Sequence, residues 1–226
     1  MTDRIQTGSR VLDAALAGGL PRGASLLVSG EEGAGATEFA LTVLKTIAGD
    51  KSGHKARFVS AMRSAPRVTE EMKELFEEPK PIAGLDIVMM ASNVTPKDAE
   101  NILSGLDKGD VLVIESADSL AVLGDGYGLI PFWRALGNEA AARGITVLLL
   151  HAHGTLPMPV EHALAQIADG VLRFTWHDGG PSHRRQLEIP KLRGLAPVLD
   201  GDQVPIFEVA LSKGVGFTVS RERSLV

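Results

Sequence analysis

The 226-residue chain contains no cysteine, which excludes disulfides, thiolate metal sites and cysteine nucleophiles. Aromatic residues are scarce: seven Phe, two Trp and one Tyr make up 4% of the chain, against a hydrophobic fraction of 44%. The core is therefore expected to consist of Leu, Val, Ile and Ala, and a base-stacking platform for single-stranded nucleic acid has little to draw on. A basic run is also missing and the formal net charge is -5, so nucleic acid is not expected as the main ligand. No stretch approaches the roughly eighteen uninterrupted apolar residues of a membrane span, and Met1-Thr2-Asp3-Arg4 lacks the apolar segment of a secretory signal. A cytoplasmic protein without membrane contact is the expectation. The length suits one domain, residues 1–226, large enough to bury a substantial core.

Apolar runs of strand length alternate with amphipathic stretches of helix length, which predicts an α/β protein with a mostly parallel sheet covered by helices. Strands are expected at Ala24–Ser29, Ala56–Ser60, Leu85–Ala91, Asp110–Glu115 and Ile145–Leu150. Helices are expected over Ala34–Ile47, over Glu70–Glu78 where Pro79 and Pro81 stop it, from Thr95 with Pro96 in its first turn, and over Leu129–Arg143. Gly124–Gly128 reads as a surface loop. After Gly170 the pattern changes to short alternating segments, Val171–Trp176, Arg184–Ile189, Ile206–Ala210 and Gly214–Val219, which predicts antiparallel strands extending one edge of the sheet.

Between the first strand and the first long helix lies Gly30-Glu31-Glu32-Gly33-Ala34-Gly35-Ala36-Thr37. It follows the phosphate-loop pattern G-x-x-x-x-G-K-[ST] at each fixed position except one, where Ala36 stands in place of lysine. That lysine reaches the β- and γ-phosphates and supplies charge that backbone N–H groups cannot. Thr37 remains available to a Mg²⁺ ion, yet Glu31, Glu32 and Glu38 surround the loop with negative charge. Two readings stay open: residual nucleotide binding, or glycines that only let helix and strand pack closely.

Beyond the loop, Thr7-Gly8, Leu12-Asp13 and Gly18-Gly19-Leu20-Pro21-Arg22-Gly23 open the chain, Glu161-His162 and Ala168-Asp169-Gly170-Val171 come later, and Ile189-Pro190-Lys191-Leu192-Arg193-Gly194 follows. With these segments the sequence resembles the KaiC-like branch of the RecA-type ATPases over nearly its whole length. The resemblance implies a RecA-like three-layer sandwich: a mostly parallel central sheet flanked by helices, with antiparallel strands added at the C-terminal end.

The resemblance also implies ATP, Mg²⁺ and a catalytic apparatus, and the positions that match it are substituted. The paired glutamates that follow the second strand in the family, one of them the base for the attacking water, correspond to Ser60-Ala61-Met62-Arg63-Ser64. Met62 and Arg63 bring no carboxylate there. The magnesium aspartate of the Walker B motif corresponds to Glu115, one methylene longer, in Leu112-Val113-Ile114-Glu115-Ser116. Losing the lysine and both glutamates together predicts a pseudo-ATPase with no catalytic residue, no required cofactor, and at most weak ATP and Mg²⁺ binding through Thr37 and Glu115. Lys191 and Arg193 are retained, and the resemblance implies that this element reaches the nucleotide of a neighbouring subunit. The expected role is regulation, signalling or assembly through protein partners, in a mixed oligomer with an active paralogue or with itself. The competing account treats Lys191 and Arg193 as ordinary charges on an edge strand.

Two further functions are weighed beside this one. A slow ATPase would need a substitute cation, Lys45 or Arg63, while a recombination accessory protein would need a basic, aromatic groove for single-stranded DNA. His151-Ala152-His153 with Glu161 and His162 imitates a metal set, and Ser116 and Ser119 follow a buried strand without a G-x-S-x-G elbow. Neither is expected to act. Gly124–Gly128 and Leu195–Val204 are candidate interaction loops.

Overall fold

In a computed structural model the protein is described over residues 4–78, 80, 82–90, 92–121, 125–178, 183–194 and 204–221. The chain runs β1 (Arg4–Ile5), α1 (Arg10–Ala15), β2 (Leu20–Pro21), β3 (Ser25–Gly30), α2 (Ala36–Ala48), β4 (Ala56–Ser60), α3 (Ala65–Phe76), β5 (Leu85–Met89), α4 (Asp98–Leu103) and β6 (Val111–Glu115). It continues through α5 (Ala117–Leu120), α6 (Leu129–Arg143), β7 (Thr146–Ala152), α7 (Met158–Ile167), β8 (Gly170–Asp178), β9 (His183–Leu192), β10 (Ile206–Ser212) and β11 (Gly216–Arg221).

Among the described residues nine strands form one sheet in the order β11-β10-β9-β8-β3-β7-β6-β4-β5. From β8 to β5 the pairs are parallel, and β8, β9, β10 and β11 pair antiparallel. The expected antiparallel extension of one edge is present. The central strands read as unbroken apolar runs because both of their faces are covered. In β6, Val111 and Val113 pack into one apolar cluster and Leu112 and Ile114 into the other, as the two-residue period of a strand requires. One layer holds α1, α2 and α3, the other α4 to α7. This is the three-layer α/β sandwich expected, with antiparallel strands at the C-terminal end.

The bounds of α3 and α4 differ from expectation. The third helix starts at Ala65, five residues before Glu70, because Pro66 occupies its first turn, where no intrahelical N–H is needed. It ends at Phe76, with Glu77 in the left-handed region at φ 53°. Thr95 and Pro96 belong to a turn outside α4: the Thr95 N–H and hydroxyl both donate to Asp98 Oδ2, at 2.7 and 2.8 Å, and the helix begins at Asp98. The strand expected over Leu85–Ala91 ends at Met89. Pro79, Pro81, Ala91, Gly124 and residues 195–203 lie outside the described residues. No helix among the described residues is long and apolar enough to cross a membrane.

The glycine-rich opening of the chain acts as a staple. Asp13 Oδ1 accepts both the N–H and the hydroxyl of Thr7 at 2.8 Å, and Gly19, at φ 116°, lies so close to the Ile5 carbonyl that a Cβ would collide with it. Burial pushes the Asp13 carboxyl above its usual range despite the Thr7 bonds. These residues hold β1 against β2, and none of them lines the cavity beside the glycine loop.

Candidate functional site

The loop at the C-terminal end of β3 borders an open cavity of about 390 Å³, walled also by the ends of β4, β6 and β7 and by α3. Gly33 and Gly35 take positive φ, 71° and 108°, which lets the loop turn tightly into α2. No side chain caps the N-terminus of α2, so its first-turn N–H groups are left to solvent or a ligand. A Cβ added to Gly30 would come within 2.8 Å of the Ala36 methyl. Ala36 therefore closes against the strand end and presents no charge.

The outer limb of the loop is strapped to the antiparallel wing. Trp176 donates its backbone N–H to Glu31 Oε2 and its indole N–H to the Glu32 carbonyl, both at 2.9 Å. Arg185 donates to the Gly33 carbonyl at 2.8 Å and stacks 4.5 Å over the Trp176 ring. One of the two tryptophans thus serves to fix the loop.

Arg63, in the stretch matching the family's glutamates, turns inward. Its Nε and Nη2 donate to the two oxygens of Glu115, each at 2.6 Å, in a fork matched to carboxylate geometry. Its Nη1 donates to Glu71 on α3. The turn before it is held by Ser60, whose hydroxyl accepts the N–H groups of Met62 and Arg63 at 3.2 and 3.0 Å. Met62 itself is exposed at the mouth of the cavity. Burial pushes the Glu71 carboxyl above its usual range, and the neighbouring charges of Glu115 and Glu38 raise it further, so that Arg63 only partly offsets them. Two carboxylates that the sequence did not point to also reach the cavity, Glu71 from α3 and Asp118 from α5.

Behind the loop, His151 at the end of β7 sits between two acids. Its Nδ1 lies 2.7 Å from Asp118 Oδ1 and its Nε2 2.9 Å from Glu161 Oε1, with the ring 1% exposed. Asp118 also accepts the Ala152 N–H at 3.0 Å and the Thr155 hydroxyl. Burial alone pulls the His151 pKa down, but hydrogen bonding and charge from Asp118, together with Glu161, outweigh it and the imidazole titrates above its ordinary value. Burial likewise pushes Asp118 up, and the bonds from His151, Thr155 and Ala152 overcome it, holding Asp118 below the usual range. Among the described residues no group of three or more His, Asp or Glu side chains has metal-holding geometry. His151 thus ties β7 to Asp118 on α5 and to Glu161 on α7, while His162 is exposed on α7. Ser119 bonds the Ser116 backbone, its Oγ donating to the carbonyl at 2.7 Å and accepting the N–H at 3.0 Å, so these serines set the start of α5.

Of the substitute cations considered, only Arg63 borders the cavity. Lys45 faces Glu78 at 3.5 Å and the Phe76 ring at 4.3 Å, toward the far end of α2. Lys191 and Arg193 lie at the end of the sheet opposite the loop. There Lys191 donates to the Ala165 and Gln166 carbonyls at 3.3 and 2.9 Å, while Arg193 bonds Asp169 Oδ1 at 3.3 Å and the Arg22 carbonyl at 3.1 Å.

These donors meet only part of what the ATP and Mg²⁺ implied by the resemblance would need. A phosphate fits the shape of the loop, with open N–H groups but no lysine. A divalent ion fits poorly, since Arg63 takes a lone pair of each Glu115 oxygen and sets its own positive charge beside them.

A glycine loop at a parallel strand end, set in a sheet of this order, is a RecA-like fold. Solved structures agree. The KaiC-like protein PH0186 of Pyrococcus horikoshii OT3 superposes with a TM-score of 0.75 at 20% identity, covering 97% of this chain and 100% of that one. The flagellar accessory protein FlaH of Methanocaldococcus jannaschii gives 0.74 at 14% identity, covering 98% and 100%. No curated protein matches the sequence. Residues 4–223 match the model described as a family of unknown function, DUF7125, and the chain belongs to that family.

Proposed function

We propose that this chain is a KaiC-like pseudo-ATPase that works through protein partners, assembling with an active paralogue. The observation that carries the reading is Ala36 closed against Gly30, in a cavity whose Arg63 is engaged by two carboxylates. Without the lysine, and with the Walker B carboxylate bridged, the charge that builds on a transferring phosphoryl group has no counterpart. The position of Lys191 and Arg193 supports a role in trans, because the opposite end of the sheet cannot serve the chain's own loop. Added to a purified active paralogue, the wild-type chain should raise ATP turnover and Arg193→Ala should not, with both showing the same unfolding midpoint. Equal stimulation by the two would remove the trans role. A second reading, slow ATP hydrolysis with Arg63 as substitute cation, is favoured only by the place of Arg63 in the cavity. Turnover lost in Arg63→Gln would support it.

A further inference from the structure

We propose that Arg63 is the resident cation of this site, standing where a divalent metal would otherwise be held, and that any ligand of the loop is bound without metal. This deepens the pseudo-ATPase reading and rests on it. Three observations converge.

The fork from Arg63 to Glu115 uses both carboxylate oxygens at 2.6 Å, the short length of a charge-assisted pair. A Mg²⁺ ion binds carboxylate oxygen at about 2.0–2.1 Å, so it could reach Glu115 only through the outer lone pairs, beside a guanidinium charge that repels it. Next, Arg63 bridges two acids from separate elements, Glu115 at the end of β6 and Glu71 on α3. One positive charge between two carboxylates is the electrostatic service a bound cation would give. Finally, the arginine is built into its place: Ser60 accepts the N–H of Arg63 itself and lies 3.4 Å from Glu115 Oε2, and the guanidinium carbon sits 5.7 Å from the centre of the Phe58 ring. A guanidinium stays charged across the accessible pH range, so this cation cannot be titrated away or chelated.

The test is Mn²⁺ uptake, read by the electron paramagnetic resonance of free Mn²⁺, on the wild-type chain, Arg63→Gln, and Arg63→Gln combined with Glu115→Gln. The wild type should leave Mn²⁺ free up to millimolar concentration, Arg63→Gln should gain one site at least tenfold tighter, and the double variant should lose it. Uptake by the wild type that Glu115→Gln abolishes would overturn the proposal. So would an Arg63→Gln protein that is folded and takes up no Mn²⁺, because the arginine would then not be what excludes the metal. Should Arg63→Gln fail to fold, the Arg63→Gln and Glu71→Gln pair removes one of the acids left unmatched and carries the same comparison. A wild type that binds Mn²⁺ yet turns over no ATP would remove the resident cation and leave the pseudo-ATPase reading standing. ATP hydrolysis in the presence of EDTA would do the reverse.

Discussion

Replacing Asp118 by Asn removes one of the two charges that hold the buried His151 ring. Losing one partner of a buried ion pair costs about 3–5 kcal/mol. Here Glu161 stays 2.9 Å from Nε2 and Asp118 is 21% exposed, so we expect about 2–3 kcal/mol, below that range. For a chain of this size each kcal/mol moves the midpoint by roughly 2–4 °C, which gives a drop of about 4–12 °C. The pH dependence supplies the sharper check. His151 has a raised folded-state pKa, so its contribution is complete below the unfolded value of about 6.5 and is lost as pH rises through the folded value. Asp118 is shifted down and remains ionised throughout that range. Thermal unfolding of wild type and Asp118→Asn from pH 5 to 9 should therefore show the widest gap at pH 5–6, narrowing on the alkaline side. His153 is exposed and 3.6 Å from Glu161, and His153→Gln should leave the profile in place. A gap that stays constant with pH, or one under about 1 kcal/mol, would refute the charged pairing of His151.

Gly19→Ala should destabilise the fold by about 3 kcal/mol, through a positive φ and the collision with the Ile5 carbonyl, and chemical denaturation will measure it; a neutral result would dissolve the staple. Ala36→Lys should gain nucleotide affinity that the wild type lacks: at a ligand concentration ~100 times the dissociation constant the linkage is about 2.7 kcal/mol, or roughly 5–11 °C in midpoint. An equal shift in the wild type would mean that the loop still binds ATP unaided. Stimulation of a paralogue by wild type and not by Arg193→Ala remains the direct check on the trans role.

The strands were legible in the sequence because a strand covered on both faces is a continuous apolar run bounded by polar residues, as Val111–Ile114 and Thr146–Leu150 are. Helix starts were less so. Pro66 sits inside α3, in the one turn where proline is tolerated, while Pro79 and Pro81 drew the expected end too far along. The loss of the loop lysine is a local fact and could be read directly. Arg63 could be named as a candidate cation but its partner could not, because it meets Glu115 across 52 positions of sequence, a pairing that follows from the parallel register of β4 and β6. Lys45 fails as a substitute for a simpler reason: nine residues beyond Ala36 on one helix lies roughly 13 Å away, at the end where Phe76 and Glu78 receive it.

The few aromatic residues have a consequence for how the protein is made. Phe39 on α2, Phe174 on β8 and Phe217 on β11 meet with ring centres 5.1 to 5.9 Å apart. The Phe217 N–H donates to Thr42 on the same helix at 3.1 Å. During synthesis the glycine loop and α2 are made about 170 residues ahead of Phe217, and for that interval Phe39 lacks its edge-on partner. A segment made early is thus completed by one made much later, and a chain that stopped before β11 would leave Phe39 and Phe174 without their third ring.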